Sequence, residues 1–345
     1  NKNNVWPEVD GNQNLTSYII ADRVNTTTNA YANAGGTFAA IPLQDPAVLL
    51  EDLRKIFKEI LSVSTTFVAA SVPVNVFNRS DIVDNVFIAQ FVVDEDAHPF
   101  WNGNLKKLRL LETTDELGSA TLAVVDANND QAIASDGRIS FDALTYWTDA
   151  SALSPPEGEE VVGKDGRTVA RGGAGQQLPG YLAGTSTIGD NNSSNTRTLY
   201  TEPATGITLM NLGVSNAASL QSDLNVGSIA EAEEMIRWIR GIDVDDYDGD
   251  GDTTDVRSWL LGAPLHSRPL PLNYGARGGY SETNPDIRIF MGSEDGMMHT
   301  FRNTTSGGAE SGIEDWAFMP RAVMDEMATL RQNSPGNHPY TVDGA

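Results

Sequence analysis

The chain has 345 residues and a formal net charge of −24, from 23 Lys plus Arg against 47 Asp plus Glu. This acidity disfavours nucleic acid and anionic membranes as partners, because both require a basic surface. The absence of cysteine excludes disulfides, thiol chemistry and cysteine-based zinc sites. No apolar run approaches the roughly 18 residues of a bilayer span. The 32 Gly and 16 Pro favour many short β elements joined by turns.

Residues 1–64 predict the C-terminal part of an α/β domain. Short strands are expected at 17–21 and 38–42, with a possible helix at 30–36 between them. The clearest helix of this region runs over 45–61, where Asp45 is the N-cap, Pro46 takes the first helical position and one apolar stripe follows. The order strand, helix, strand, helix is typical of an α/β fold.

Residues 65–227 predict a β-rich and loop-rich region. Apolar bursts at 72–77, 85–93 and 105–111, separated by Asp, Asn and Gly, predict strands. Further on, periodicity is weak and Gly, Pro, Ser, Thr and Asn are abundant. The stretch 154–195 has two interpretations, a partner-binding insertion and a solvated loop, and we favour the loop.

Residues 228–345 predict a helix, an acidic loop and the first blade of a β-propeller. The helix is marked by a capping box of Ser228 and Glu231 and by Gly241 at its C-terminal end. A further helix is expected over 320–330. We therefore expect a mainly β fold with an α/β remnant at its N-terminal side.

The acidic loop, DVDDYDGDGDTTD over Asp243–Asp255, has the spacing of a calcium site. Alternate residues can point carboxylates at one ion while glycine at the sixth position, here Gly251, permits the sharp turn. Without a cation the carboxylates repel one another. The predicted ligands are five of the seven aspartates of this loop, Asp246, Asp248, Asp250, Asp252 and Asp255.

The match to an EF-hand is imperfect, because position twelve is Arg257 rather than a bidentate Glu. The loop is closer to the shorter DxDxDG calcium loops of extracellular proteins. The alternative is a solvated acidic turn that binds nothing. A weaker echo of the pattern, Asp126, Asn128 and Asp130, lacks the glycine.

The blade is predicted from PDIRIFMGSEDGMMHTFRNTTSGGAESGIEDWAF, which begins at Pro285. It contains two strand-like runs joined by an Asp-Gly turn, a Gly-rich turn and the start of a third strand. Propellers usually need about four to eight blades, so we expect most of the others beyond residue 345. His299 and His266 each stand alone and predict structural histidines, and no catalytic residue is predicted.

Several segments together resemble the PilC/PilY family of type IV pilus tip-associated adhesins. They are MIRWIRGID from Met235, the acidic loop, RSWLLGAPLHSRPLPLNYG from Arg257, IFMGSEDGMMHTF from Ile289, WAFMP from Trp316 and YTVDG from Tyr340. A looser match is FIAQFVVDEDAHPFWNGNLKKLRL from Phe87, and YANAGGTFAAI with the helix after it resembles the end of a von Willebrand A-type domain.

The resemblance implies a calcium-regulated protein that is exported through the periplasm to the cell surface. It would sit at the pilus tip on minor pilins and promote pilus assembly and contact with host or abiotic surfaces. Two alternatives stay open. The blade also resembles those of quinone-dependent dehydrogenases, and a passive structural or carbohydrate-binding surface protein would have similar composition.

Overall fold

The computed structural model describes most of the residues that follow position 83. The described residues are 20–21, 41–42, 67–71, 74–75, 84–94, 96–114, 120–134, 137–153, 163–178, 190–191, 197–336 and 338–342. The predicted helix at 45–61 and most of the stretch 154–195 lie outside them. The protein divides into two compact units, Asn1–Ser64 and Thr65–Ala345. In the first unit, strand β1 (Ile20–Ala21) pairs in parallel with β2 (Ile41–Pro42).

The second unit contains a four-stranded antiparallel sheet. Its strands, in spatial order, are β3 (Phe67–Ser71), β5 (Asn85–Phe91), β6 (Gly103–Thr114) and β7 (Ala120–Val125). The strands predicted at 85–93 and 105–111 are confirmed. Every residue of β5 is buried, which its nearly unbroken apolar sequence NVFIAQF explains.

A seven-stranded sheet contains the other strands that the structure describes in this unit. Its spatial order is β4 (Val74–Asn75), β10 (Leu270–Asn273), β11 (Ile287–Ser293), β12 (Met297–Arg302), β13 (Glu314–Phe318), β8 (Leu199–Thr201) and β9 (Met210–Asn211). Strands β10–β13 form an antiparallel meander that includes the predicted blade strands. Strands on both sides of residue 227 thus share one sheet. The fold is mainly β, as predicted, and the described residues form no closed propeller.

The described helices are short. They are α1 (Gly173–Gln176), α2 (Ala217–Leu220), α3 (Ile229–Arg240) and α4 (Met327–Gln332). The N-cap and the terminal glycine predicted for α3 are confirmed, because Glu231 N donates to Ser228 Oγ and Gly241 ends the helix at φ +111°. The predicted capping box is only half formed, because Glu231 Oε2 accepts from Gly227 N rather than from Ser228 N. The helix predicted at 320–330 begins instead as a 3-10 turn, Arg321–Glu326. None of the described helices has the length and apolarity to cross a membrane.

Both sheets of the second unit contribute to one hydrophobic core. Phe87 of β5 stacks on Trp147 with ring centroids 5.6 Å apart, and both pack with Ile289 and Phe301 of the seven-stranded sheet. The indole of Trp147 donates to Asn303 O at 3.1 Å. Apolar burial therefore holds the two sheets together, and a buried hydrogen bond accompanies it.

A second feature of this packing is a buried lysine in β6. Lys106 is 0% exposed, and its Nζ donates to Asp165 O, Gly166 O and Thr168 O at 2.6–2.8 Å. Its neighbour Asn104 donates Nδ2 to three further carbonyls, those of Val169, Arg171 and Gly172. Two polar side chains of one strand thus bond to six carbonyls of the irregular segment 163–172.

Candidate metal centre

The acidic loop begins where α3 ends. The N–H of Gly241 bonds Arg237 O and Trp238 O, and its left-handed backbone turns the chain out of the helix. The base of the loop is closed by an antiparallel bridge between Ile242 and Val256. Asp243 N also donates to Asp255 O at 2.9 Å. The loop is therefore anchored at both ends before any ion is considered.

Inside the loop, carboxylates bond to backbone N–H groups and curl the backbone. Asp246 Oδ1 accepts from Gly251 N at 3.0 Å, and Asp250 Oδ1 accepts from Asp252 N at 2.7 Å. Gly249 and Gly251 have φ of +74° and +88°. These left-handed positions favour glycine, as the calcium-loop pattern requires for the sixth residue.

Three of the predicted ligands come together. One carboxylate oxygen from each of Asp246, Asp248 and Asp250 lies within 4.8 Å of the others. Asp252 is not in this group; its Oδ1 accepts from Thr254 N at 2.8 Å and from Thr254 Oγ1 at 2.6 Å. Three hard oxygen ligands at this spacing suit calcium better than a transition metal.

Asp255, the last predicted ligand, also lies outside the three-oxygen group. Its Oδ1 is covered and has no hydrogen-bond partner among the described residues. Burial raises the pKa of its carboxyl, and the charges of Asp250 and Asp248 raise it further. The ionised carboxylate of Asp255 is therefore unfavourable in the calcium-free loop. A bound cation would stabilise it by compensating the negative charge of the neighbouring aspartates.

Arg257, the residue at position twelve, does not replace the missing glutamate. Its guanidinium lies 4.2 Å from the Trp238 ring centroid, and Nη2 donates to Trp238 O. Burial and then the nearby Arg197 lower its pKa to about 10. The side chain thus belongs to the packing of α3 against the loop.

Contacts that the sequence did not reveal attach the loop to α4. Arg331 bonds Asp245 through Nε at 2.7 Å and Nη2 at 2.6 Å, and it also pairs with Glu234 of α3. The hydrogen bond from Arg331 holds the pKa of Asp245 below its usual value. Asn333 Nδ2 donates to Tyr247 Oη at 3.2 Å. Arg331 therefore links the loop to both α3 and α4.

A second cluster of possible ligands lies at Asp94, Asp96 and His98. Their ligand atoms also lie within 4.8 Å of one another. The sequence DEDAH, with acidic residues and a histidine at alternate positions, could have predicted this cluster. Asp94 Oδ1 accepts from His98 N, Asp96 N and the His98 ring, as the loop aspartates accept from nearby N–H groups. These bonds form a local turn. The weaker echo at Asp126 is similar, because its Oδ1 accepts from the Asn128 and Asp130 N–H groups.

His299 lies in a buried polar network. Its Nε2 is 2.8 Å from Ser293 Oγ, and its Nδ1 is 2.7 Å from Glu314 Oε1, in the order of a Ser-His-acid triad. Asp295 also faces Nε2 at 3.1 Å. Burial opposes the charge on His299, but Asp295 and Glu314 outweigh it and raise the pKa to about 9.

The raised pKa favours the protonated imidazole, which donates to Ser293 and Asp295 rather than accepting a proton as a general base does. Ser293 and His299 are both 0% exposed. Arg197 completes the network through two bonds to Glu314 at 2.8 and 2.9 Å. The group links Ser293 and Asp295, at the turn between β11 and β12, to Glu314 of β13, and a structural role for His299 stays a prediction.

No protein-family model, curated protein or solved structure matches this sequence.

Proposed function

We propose that the protein is a calcium-binding pilus-tip protein, exported to the cell surface, that acts with minor pilins in type IV pilus assembly and surface adhesion. The observation that carries the calcium assignment is the convergence of Asp246, Asp248 and Asp250. The uncompensated, covered oxygen of Asp255 supports it. The order of the sequence motifs supports the pilus assignment. We further propose that Asp252 and Asp255 join the other three aspartates as ligands when calcium binds.

The start of a β-propeller is part of the same proposal. A propeller blade is a four-stranded antiparallel sheet, and β10–β13 have that arrangement. The acidic loop comes between α3 and this meander in the sequence. The remaining blades would complete the ring that one meander cannot form alone.

Calcium would act by fixing the loop relative to its surroundings. The ion would be held by loop carboxylates, while Asp245 and Tyr247 bond to Arg331 and Asn333 at the end of α4. Occupancy of the loop would thereby favour one arrangement of the helices beside the sheet. A pilus partner that contacts this arrangement would bind in a calcium-dependent manner.

The test combines titration with capture. Isothermal titration calorimetry of the calcium-free protein should show the heat of calcium binding. Asp248→Asn should reduce the calcium affinity, since Asn keeps the shape of the side chain but not its charge. Immobilised protein should retain purified minor pilins in calcium and lose them in a chelator. Asp325→Asn, an equal change of charge at an exposed residue outside the loop, is the control.

The outcomes separate the parts of the proposal. Absence of calcium heat contradicts the metal site, whereas calcium binding without pilin capture contradicts the pilus role alone. Dye reduction dependent on alcohol, quinone cofactor and calcium would favour the dehydrogenase alternative. Retention on neutral glycans without pilin capture would favour the passive surface protein.

A further inference from the structure

The outward face of the meander β10–β13 contains a pocket of about 350 Å³. Cross-strand pairing sets Arg288 opposite Arg302, and Phe290 opposite Thr300, which in turn lies opposite Trp316. Because side chains alternate along a strand, these five share one face of the sheet. The pocket is thus part of the sheet surface, on regular elements.

Aromatic rings form the sides of the pocket. Phe290 and Trp316 meet edge to face, with centroids 6.0 Å apart and planes inclined by 70°. Tyr274 also lines the pocket, and the Arg277 guanidinium lies 3.9 Å from the centre of its ring. Such surfaces favour contact with the face of another ring, aromatic or sugar.

Three guanidiniums in the pocket share two carboxylates. Asp286 accepts from Arg277 Nε at 2.8 Å and from Arg288 Nε at 2.6 Å. Asp315 pairs with both Arg288 and Arg302. One positive charge is therefore uncompensated within the group, in a protein of net charge −24. The side chains of Arg277 and Arg302 are 55% and 35% exposed, so solvent reaches them.

Two buried donors of the pocket lining have no hydrogen-bond partner among the described residues. They are the hydroxyl of Thr300, a residue 1% exposed, and Nε of Arg302. Both residues lie on β12 and on the same face of it. Unpaired buried donors favour a ligand rich in acceptor atoms. Excess positive charge and free donors together favour an anion.

We propose that this pocket binds a carboxylate carried on a ring. The guanidiniums would hold the carboxylate, as their forked donors do in protein ion pairs, while the aromatic side chains contact the ring. The volume is at the lower end of ligand sites, which fits a single ring. Either an acidic sugar or an aromatic acid supplies this chemistry. The inference is independent of the calcium loop.

The test titrates the full-length protein, at constant calcium, with glucuronate and with benzoate, followed by ligand-observed NMR. Glucose and benzyl alcohol are the uncharged analogues. We expect at least one acid to bind with a Kd of about 1 mM or tighter, and its uncharged analogue about tenfold more weakly. Binding of glucuronate alone identifies a sugar site, binding of benzoate alone an aromatic-acid site, and binding of both a site that accepts either ring.

The matched variants are Arg277→Gln and Arg268→Gln. Arg277 is largely exposed, and its loss leaves Asp286 paired with Arg288, so the fold should persist. We expect Arg277→Gln to weaken acid binding about three- to tenfold. Arg268, exposed and outside the pocket lining, should have no effect. The proposal is overturned if neither acid binds at about 10 mM, if uncharged analogues bind equally, or if both variants behave alike.

Discussion

Calcium should raise the melting temperature of the protein through the loop at Asp246–Asp250. A ligand at a hundred times its Kd stabilises the folded state by about 2.7 kcal/mol. The second compact unit, Thr65–Ala345, has roughly 280 residues and thus an unfolding entropy of about 0.6 kcal/mol/K. The expected increase in Tm is about 4–5 °C, measured by differential scanning calorimetry with and without chelator.

Asp248→Asn should reduce this increase. If the loss of one charged ligand weakens calcium binding about tenfold, the same calcium concentration stabilises by about 1.4 kcal/mol and raises Tm by about 2 °C. Asp325→Asn should retain the full increase. Asp252→Asn tests whether that residue joins the site. An equal calcium response in wild-type protein and Asp248→Asn would refute the assignment of the three-oxygen group.

Three further predictions concern charge and packing. Because the pKa of Asp255 is raised in the folded state, its ionisation destabilises the calcium-free protein above the unfolded pKa near 3.8. Asp255→Asn should therefore raise the Tm without calcium at pH 7 and diminish the calcium response. His299 has a pKa of about 9 in the folded protein, against the ordinary value of 6.5. Its protonation should therefore add about 3 kcal/mol to the free energy of unfolding below pH 6.5, and this contribution is lost as the pH rises through 9. Urea unfolding of His299→Gln should show a weaker pH dependence. Gly103→Ala should cost about 1–3 kcal/mol, since its Cβ would lie 2.0 Å from Gly262 O, whereas Gly307→Ala, with no atom nearer than 3.8 Å, should be neutral in the same unfolding assay.

Local signals were sufficient to predict α3 and the strands that flank the Asp-Gly turn. The cap at Ser228 and the terminal Gly241 act within a few residues of the helix, so sequence spacing alone contains them. The curled acidic loop was predictable for the same reason, because its hydrogen bonds join residues two to five positions apart.

Contacts between distant segments were not predictable in this way. Arg197 and Glu314 are separated by 117 positions, and nothing in their neighbours indicates that they meet. The attachment of Asp245 to Arg331 spans 86 positions. The arginine and aromatic pocket likewise requires knowledge of strand register, since a shift of one residue would place these side chains on the opposite face.

The segment 163–172 has few hydrogen bonds within itself and many to residues outside it. It lacks regular structure, and its carbonyls depend on Lys106 and Asn104, whose strand must first be in place. During refolding it should dock late, after the long-range pairing of β6. Lys164 and Arg167 lie within it. The refolding time after which trypsin no longer cleaves at these residues would therefore report when the segment docks.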